Sequence, residues 1–150
     1  MIKIICIGKV KEKYLIDAME EYKKRLSKYT KLEIVELPDK DFDLKKTLEV
    51  EKEEILKNIK ISDYNILLDI EGRELTSVEL ANSIDKIRIN NSNINFIVGG
   101  SYGVHDDVRN IVNERISFSK LTFPHQLFRV ILLEQIYRSF KILNNEEYHK

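Results

Sequence analysis

The residues best suited to chemistry are concentrated in the last third of the chain. Asn95-Phe96-Ile97-Val98-Gly99-Gly100-Ser101-Tyr102-Gly103 reads as an apolar strand running into a glycine-rich turn. Glycine has no Cβ, so the backbone of such a turn can approach a ligand closely and offer its amides as donors. The G-G-x-x-G spacing is neither the dinucleotide fingerprint nor a Walker loop, and a plain tight turn uses glycines in the same way. Downstream, Ser119-Lys120-Leu121-Thr122-Phe123-Pro124-His125 forms a second loop, in which Pro124 stiffens the entry to a helix and leaves His125 at its start. A histidine there can exchange a proton with a bound molecule; the plain alternative is a capping region with a surface histidine. Arg129 and Arg138 follow on the helix, and Glu134 with Arg138 forms either an i,i+4 ion pair or a guanidinium fork for a phosphate or base edge. Cys6, His105, His125 and His149 show no metal-ligand spacing, and no G-x-S-x-G elbow occurs, so neither a metal nor a serine nucleophile is expected.

These loops need strands and helices to carry them, and the apolar pattern supplies both. Ile2 to Ile7 reads as a strand, and the apolar residues between Lys11 and Lys28 recur at helical spacing. Leu32 to Leu37 reads as a second strand, followed by an acidic loop, Asp39 to Asp43, and a charged helix from Leu44 to about Ile59. Tyr64 to Ile70 is predicted to be a third strand buried on both faces, closed by a turn at Glu71-Gly72-Arg73. Thr76 or Ser77 with Glu79 resembles a helix start, and that helix is expected to reach about Arg88. After the strand Asn95 to Val98, a helix from about Asp106 to Arg115, a short strand near Ile116 to Phe118 and a long helix from Gln126 to about Leu143 complete the pattern. Strands alternating with helices predict an α/β fold, a mostly parallel sheet with helices on both faces, in a single domain over residues 1–150.

The bulk numbers narrow the function classes. The chain has 150 residues, 43% hydrophobic and 33% charged, which suits one compact core. The 25 basic and 25 acidic side chains cancel, against a protein that grips nucleic acid by bulk charge. Residues 1–35 nevertheless carry nine basic and five acidic side chains and residues 36–90 nine and fourteen, so a local RNA-facing surface is possible beside the simpler reading of solvated helix faces. One cysteine, no signal-peptide pattern and no run of transmembrane length predict a cytoplasmic protein that does not enter a membrane. The last helix is apolar nearly all round through Leu127, Phe128, Val130, Ile131, Leu132 and Leu133, which predicts a second partner for it, the same helix of another subunit in a homodimer.

Taken together, Phe96-Ile97-Val98-Gly99-Gly100 with Gly103, Leu121 to His125, Arg129-Val130 through Glu134-Gln135-Ile136-Tyr137-Arg138, and the terminal Tyr148-His149-Lys150 resemble the RlmH family. These are SPOUT-superfamily 23S rRNA (pseudouridine(1915)-N3)-methyltransferases, and the resemblance spans the chain in length and element order. It implies a C-terminal trefoil knot, S-adenosyl-L-methionine as methyl donor and 23S rRNA in the ribosome as partner. By motif, it implies that Leu68, Gly100, Ser119, Lys120, Leu121, Thr122, Phe123 and Pro124 bind the cofactor. His125 and Arg138 are the implied catalytic pair, and Arg129, Tyr148, His149 and Lys150 the implied RNA contacts. Glu147 stands where many relatives have proline, a departure that bears on the stiffness of the tail. On this reading His125, or a water it holds, takes the proton from N3 while Arg138 stabilises the resulting anion or the neighbouring phosphate. Two other functions fit the same residues: a SPOUT methyltransferase acting on tRNA or another rRNA site, and a non-enzymatic nucleotide-binding dimer.

Overall fold

The computed structural model describes residues 1–150. The elements are β1 (Ile2–Ile7), α1 (Lys13–Leu26), β2 (Leu32–Leu37), α2 (Leu44–Lys57), β3 (Tyr64–Glu74), α3 (Ser77–Asn90), β4 (Ile94–Val98), α4 (Asp106–Ile111), β5 (Glu114–Ser117) and α5 (His125–Leu143). The strands form one sheet in the order β2-β1-β4-β3-β5, with every ladder parallel. From β1 the chain leaves to β2 on one side, whereas from β4 it leaves to β5 on the other. A switch of this kind opens crevices beyond the carboxyl ends of the strands.

Alternation along the strands sends side chains to two cores. Ile2, Ile4 and Cys6 of β1 join Phe96 and Val98 of β4 under α1, α3 and α5. Ile5 and Ile7 join Leu67 and Ile97 under Ile55 of α2 and Val108 of α4. Burial pushes the Cys6 thiol up to about 11, which leaves it a packing group and not a nucleophile. Helix starts follow local chemistry. Thr76 and Glu79 form a reciprocal capping box on α3, and the Asp43 side chain accepts from the Lys46 amide at 2.9 Å on α2. No helix is long and apolar enough to cross a membrane.

Three expectations change. The predicted turn at Glu71-Gly72-Arg73 is strand, because β3 continues to Glu74 with a register slip in which Leu68 and Arg73 both face Ile116 of β5. Gly72 permits this pairing: a Cβ there would stand 2.7 Å from the Arg115 carbonyl carbon and the Ile116 nitrogen. The slip throws Asp69 and Ile70 out of the ladder beside a cavity, a common use of bulges. The helix predicted to reach Arg115 stops at Ile111, since the Asn113 amide bonds the Asn65 carbonyl at 2.8 Å and its side chain accepts from the Asn65 amide at 2.7 Å. Those bonds pull the chain into β5 two residues before Ile116. Finally, α5 shares its layer with α1 and α3, so Leu132, Leu133, Ile136 and Phe140 are buried within the chain itself. Of the surface that suggested a partner, Leu127 remains 40% exposed, with Val130 and Ile131 half-buried beside it.

Candidate functional site

A cavity of about 330 Å³ lies beyond the carboxyl ends of β3, β4 and β5. One wall is the glycine turn. The Gly103 amide donates to the Gly100 carbonyl at 3.1 Å, and Gly103 takes a positive φ of 79°, which other residues adopt only under strain. Gly99 is packed so tightly that a Cβ would stand 2.7 Å from Val104 Cγ1 and 2.8 Å from the Gly103 carbonyl oxygen. Small side chains therefore let main chain, in place of side-chain bulk, face the cavity.

The opposite wall is the loop between β5 and α5. The Ser119 hydroxyl accepts from the Leu121 amide at 2.9 Å, while the Ser117 hydroxyl donates to the Ser119 carbonyl at 3.0 Å. These bonds curl the loop over the cavity. Phe118 and Phe123 flank Phe128 with ring centroids 5.3 and 6.0 Å away, giving an apolar end. The third side is the bulge of β3, where Asp69, only 7% exposed at its side chain, meets Arg109 Nε at 3.3 Å and an Arg115 terminal nitrogen at 3.4 Å. The other oxygen, Asp69 Oδ1, accepts from the Glu71 amide at 3.0 Å, so the carboxylate is held in place beside the cavity.

Most of the residues assigned to cofactor binding from the sequence meet here. Leu68, Gly100, Ser119, Leu121, Thr122 and Phe123 line the cavity, whereas Lys120 and Pro124 of the same loop do not. His125 lines it too and stands exposed at the first position of α5. A second and larger cleft opens on the other side of Gly100, at the ends of β1 and β2, with Gly8, Lys9, Lys11 and Pro124 on its walls. Gly100, Ser101 and His125 border both spaces. Asp69, Arg109 and Phe128 had no motif to mark them; the only sequence signal was the end of the continuous apolar run at Leu68.

Arg129 lies inside the fold. It is 2% exposed, and its guanidinium donates to the Ile7 carbonyl at 2.5 Å and to Glu36 Oε2 at 3.1 Å. Glu36 Oε2 also accepts from the Val10 amide at 2.8 Å. Arg129 is thus an internal clamp between β1, β2 and α5, nearly all of it buried beneath the wall of the second cleft.

The tail residues lie elsewhere. Arg138 is thirteen positions beyond His125 on the same helix, or roughly 20 Å at 1.5 Å per residue. It pairs with Glu134 at 2.5 Å and approaches His149 Nδ1 at 3.1 Å. Tyr148 folds back so that its hydroxyl donates to Glu134 at 3.2 Å, its ring lies edge-on to Tyr137 at 5.0 Å and Arg138 covers its face at 4.8 Å. Burial and then the Glu134 charge push the Tyr148 phenol up to about 12, so it remains a neutral donor. Within one chain the proposed catalytic pair His125 and Arg138 therefore does not share a site.

Comparison with known proteins gives the family and the fold. A family model described as "Predicted SPOUT methyltransferase" matches residues 1–149. The chain is 52% identical over 157 aligned residues to the ribosomal RNA large subunit methyltransferase H of Clostridium beijerinckii, covering 99% of each chain. It is 47% identical over 154 aligned residues to the protein of the same name from Caldicellulosiruptor saccharolyticus, covering all of both. Among solved structures, the tRNA (m1G37) methyltransferase of Aquifex aeolicus superposes with a TM-score of 0.54 at 15% identity, over 91% of this chain and 69% of that one, a likeness of fold.

Proposed function

The chain belongs to the RlmH family of SPOUT methyltransferases, and we propose that it transfers the methyl group of S-adenosyl-L-methionine to N3 of a pseudouridine in 23S rRNA. The observation that carries this reading is the cavity of about 330 Å³, walled by main chain from two turns and closed by phenylalanines, with His125 on its rim. Its volume lies in the range of small-molecule sites. The donor fits the chemistry of the lining: aromatic rings for a base, the Asp69 carboxylate for ribose hydroxyls, and main-chain groups of the glycine turn and of Ser119, Thr122 and Phe123 for the remaining polar atoms.

A sulfonium methyl is already activated when bound, so the protein's main task is alignment, which contributes roughly 7 to 11 kcal/mol in favourable cases. Phe118, Phe123 and Phe128 exclude water from one end of the cavity. At the other end, the shared rim of Gly100, Ser101 and His125 gives a base arriving through the second cleft access to the same point. His125 accepts the N3 proton there, directly or through a water, which turns a poor nucleophile into a competent one. Arg138 on α5, some 20 Å from His125, with Tyr148 and His149 folded against its turn of the helix and Lys150 following them, acts with these residues on the RNA at the pocket of a partner subunit in a homodimer. The exposed Leu127 with Val130 and Ile131 supplies apolar surface for that dimer, and sedimentation as a monomer at micromolar concentration contradicts it. The family's trefoil knot belongs to the same proposal, as does a cytoplasmic site of action. Zero net charge favours a target presented on the assembled ribosome over free RNA.

Calorimetry with S-adenosyl-L-methionine, ATP and NAD, joined to mass spectrometry of 23S rRNA from cells lacking the protein, tests the assignment. Saturable binding of the methyl donor alone and loss of one methyl from a pseudouridine support it. Preference for ATP or NAD, or an unchanged rRNA methylation profile, overturns it.

A further inference from the structure

Glu51 lies midway along α2 and is 5% exposed. Its neighbours Glu49 and Glu54 each pair with a lysine, whereas Glu51 has neither a cation nor a hydrogen-bond donor beside it. Its carboxyl rests against the back of the glycine turn. A Cβ on Gly100 would stand 3.1 and 3.2 Å from the two Glu51 oxygens and 3.3 Å from Ile7 Cγ2. The front of the same turn lines the cavity assigned to the methyl donor. Behind the carboxyl is a smaller cavity of about 260 Å³ bounded by Asp39, Lys40, Asp41, Thr47, Ser101 and Tyr102.

A carboxyl between an isoleucine and a glycine backbone is at home there only when neutral, because an isolated charge in such a place loses its solvation with nothing in return. Burial, followed by the charge of Asp39, pushes Glu51 up to about 7. The other groups facing it are Asp41, Lys40 and Tyr102. His105 and Asp107 at the start of α4, which packs on α2, are already engaged by Glu49 and Lys52. Once ionised, the carboxylate gains most by turning from Gly100 toward water and Lys40 in the rear cavity, and the turn then loses its backing.

Resting on the reading of the cavity as the donor site, we propose that Glu51 is a positioning residue for the cofactor turn: as the neutral acid it braces Gly100, and on losing its proton it releases the turn and weakens donor binding.

Two measurements on the full-length protein and its Glu51→Gln variant test this. Glutamine keeps the shape and neutrality of the acid, so the variant is expected to fold. In calorimetry with S-adenosylhomocysteine, wild-type affinity falls by about tenfold from pH 6 to pH 8.5, while the variant stays near the wild-type value of pH 6 throughout. Every other group that changes charge over this interval is common to both proteins and cancels in the comparison. In amide hydrogen exchange without ligand, residues 99–103 exchange faster in wild type than in the variant at pH 8.5 and equally at pH 6. Parallel affinity profiles for the two proteins, or equal exchange at pH 8.5, overturn the proposal. An exchange difference with no ligand binding by either protein leaves the brace standing and removes the donor-site reading instead.

Discussion

Replacing Arg129 with alanine separates two roles that the sequence left side by side. The side chain is 2% exposed, bonds the Ile7 carbonyl and pairs with Glu36, so truncation leaves a buried carbonyl unmatched and a carboxylate that still holds the Val10 amide without its cation. Breaking a buried pair from one side costs about 3–5 kcal/mol, and the partial exposure of Glu36 places this case toward the lower figure. For a chain of this size each kcal/mol moves the unfolding midpoint by about 2–4 °C, so Arg129→Ala is expected to melt on the order of 10 °C lower. A surface phosphate contact behaves differently: its loss leaves the midpoint alone and reduces the salt dependence of RNA binding by about one counterion. Circular dichroism melts of wild type, Arg129→Ala and Arg129→Lys, with RNA affinity measured across a salt series, distinguish the outcomes. Lysine keeps the charge but lacks the fork, and should recover only part of the loss. An unchanged midpoint with a shallower salt slope in Arg129→Ala would falsify the clamp.

His125→Ala should lower single-turnover methylation by about 10² to 10⁴ while calorimetric affinity for the methyl donor survives, and an unaltered rate removes His125 from proton transfer. Gly99→Ala forces a methyl to within 2.7 Å of Val104 Cγ1; overpacking of this kind costs about 1–3 kcal/mol, read as weaker donor binding and a lower melting midpoint, whereas wild-type affinity means the turn does not face the donor. Because Glu51 is raised from 4.5 to about 7 in the folded protein, the unfolded chain ionises first. The contribution of the neutral Glu51 is therefore complete below pH 4.5 and is lost as pH rises through about 7, an effect of roughly 3 kcal/mol. The melting midpoint of wild type should consequently fall relative to Glu51→Gln over that interval, and a constant difference between the two contradicts the assignment.

What the sequence disclosed depended on the range of the interactions involved. Strand and helix periodicity, the Thr76 and Glu79 capping box and the glycine turn are local features, and each lies where the pattern put it. The extension of β3 through Gly72 was hidden because glycine between charged residues reads as a turn, while its actual cause is a neighbouring backbone more than forty residues further along. The early end of α4 had the same origin, since Asn113 answers to Asn65 and not to its own helix. Site residues followed suit: the two loops were legible from composition, but Asp69 and Arg109 become a cavity wall only through the slip in β3. Arg129 looked like a free basic residue because nothing in its neighbourhood along the chain announces Ile7 and Glu36. The separation of His125 from Arg138 was the most accessible of these facts, as thirteen helical residues set it by arithmetic.

That arithmetic makes α5 a rigid spacer with a fixed angular phase. Inserting a single residue between Ile131 and Glu134 would rotate everything beyond it by about 100° around the axis, turning Arg138 and the C-terminus folded on it to another side relative to His125. Inserting seven would nearly restore the facing while lengthening the span by about 10 Å. Chain length along this one helix, more than the chemistry of any side chain on it, therefore decides how far apart the two ends of the machinery can operate.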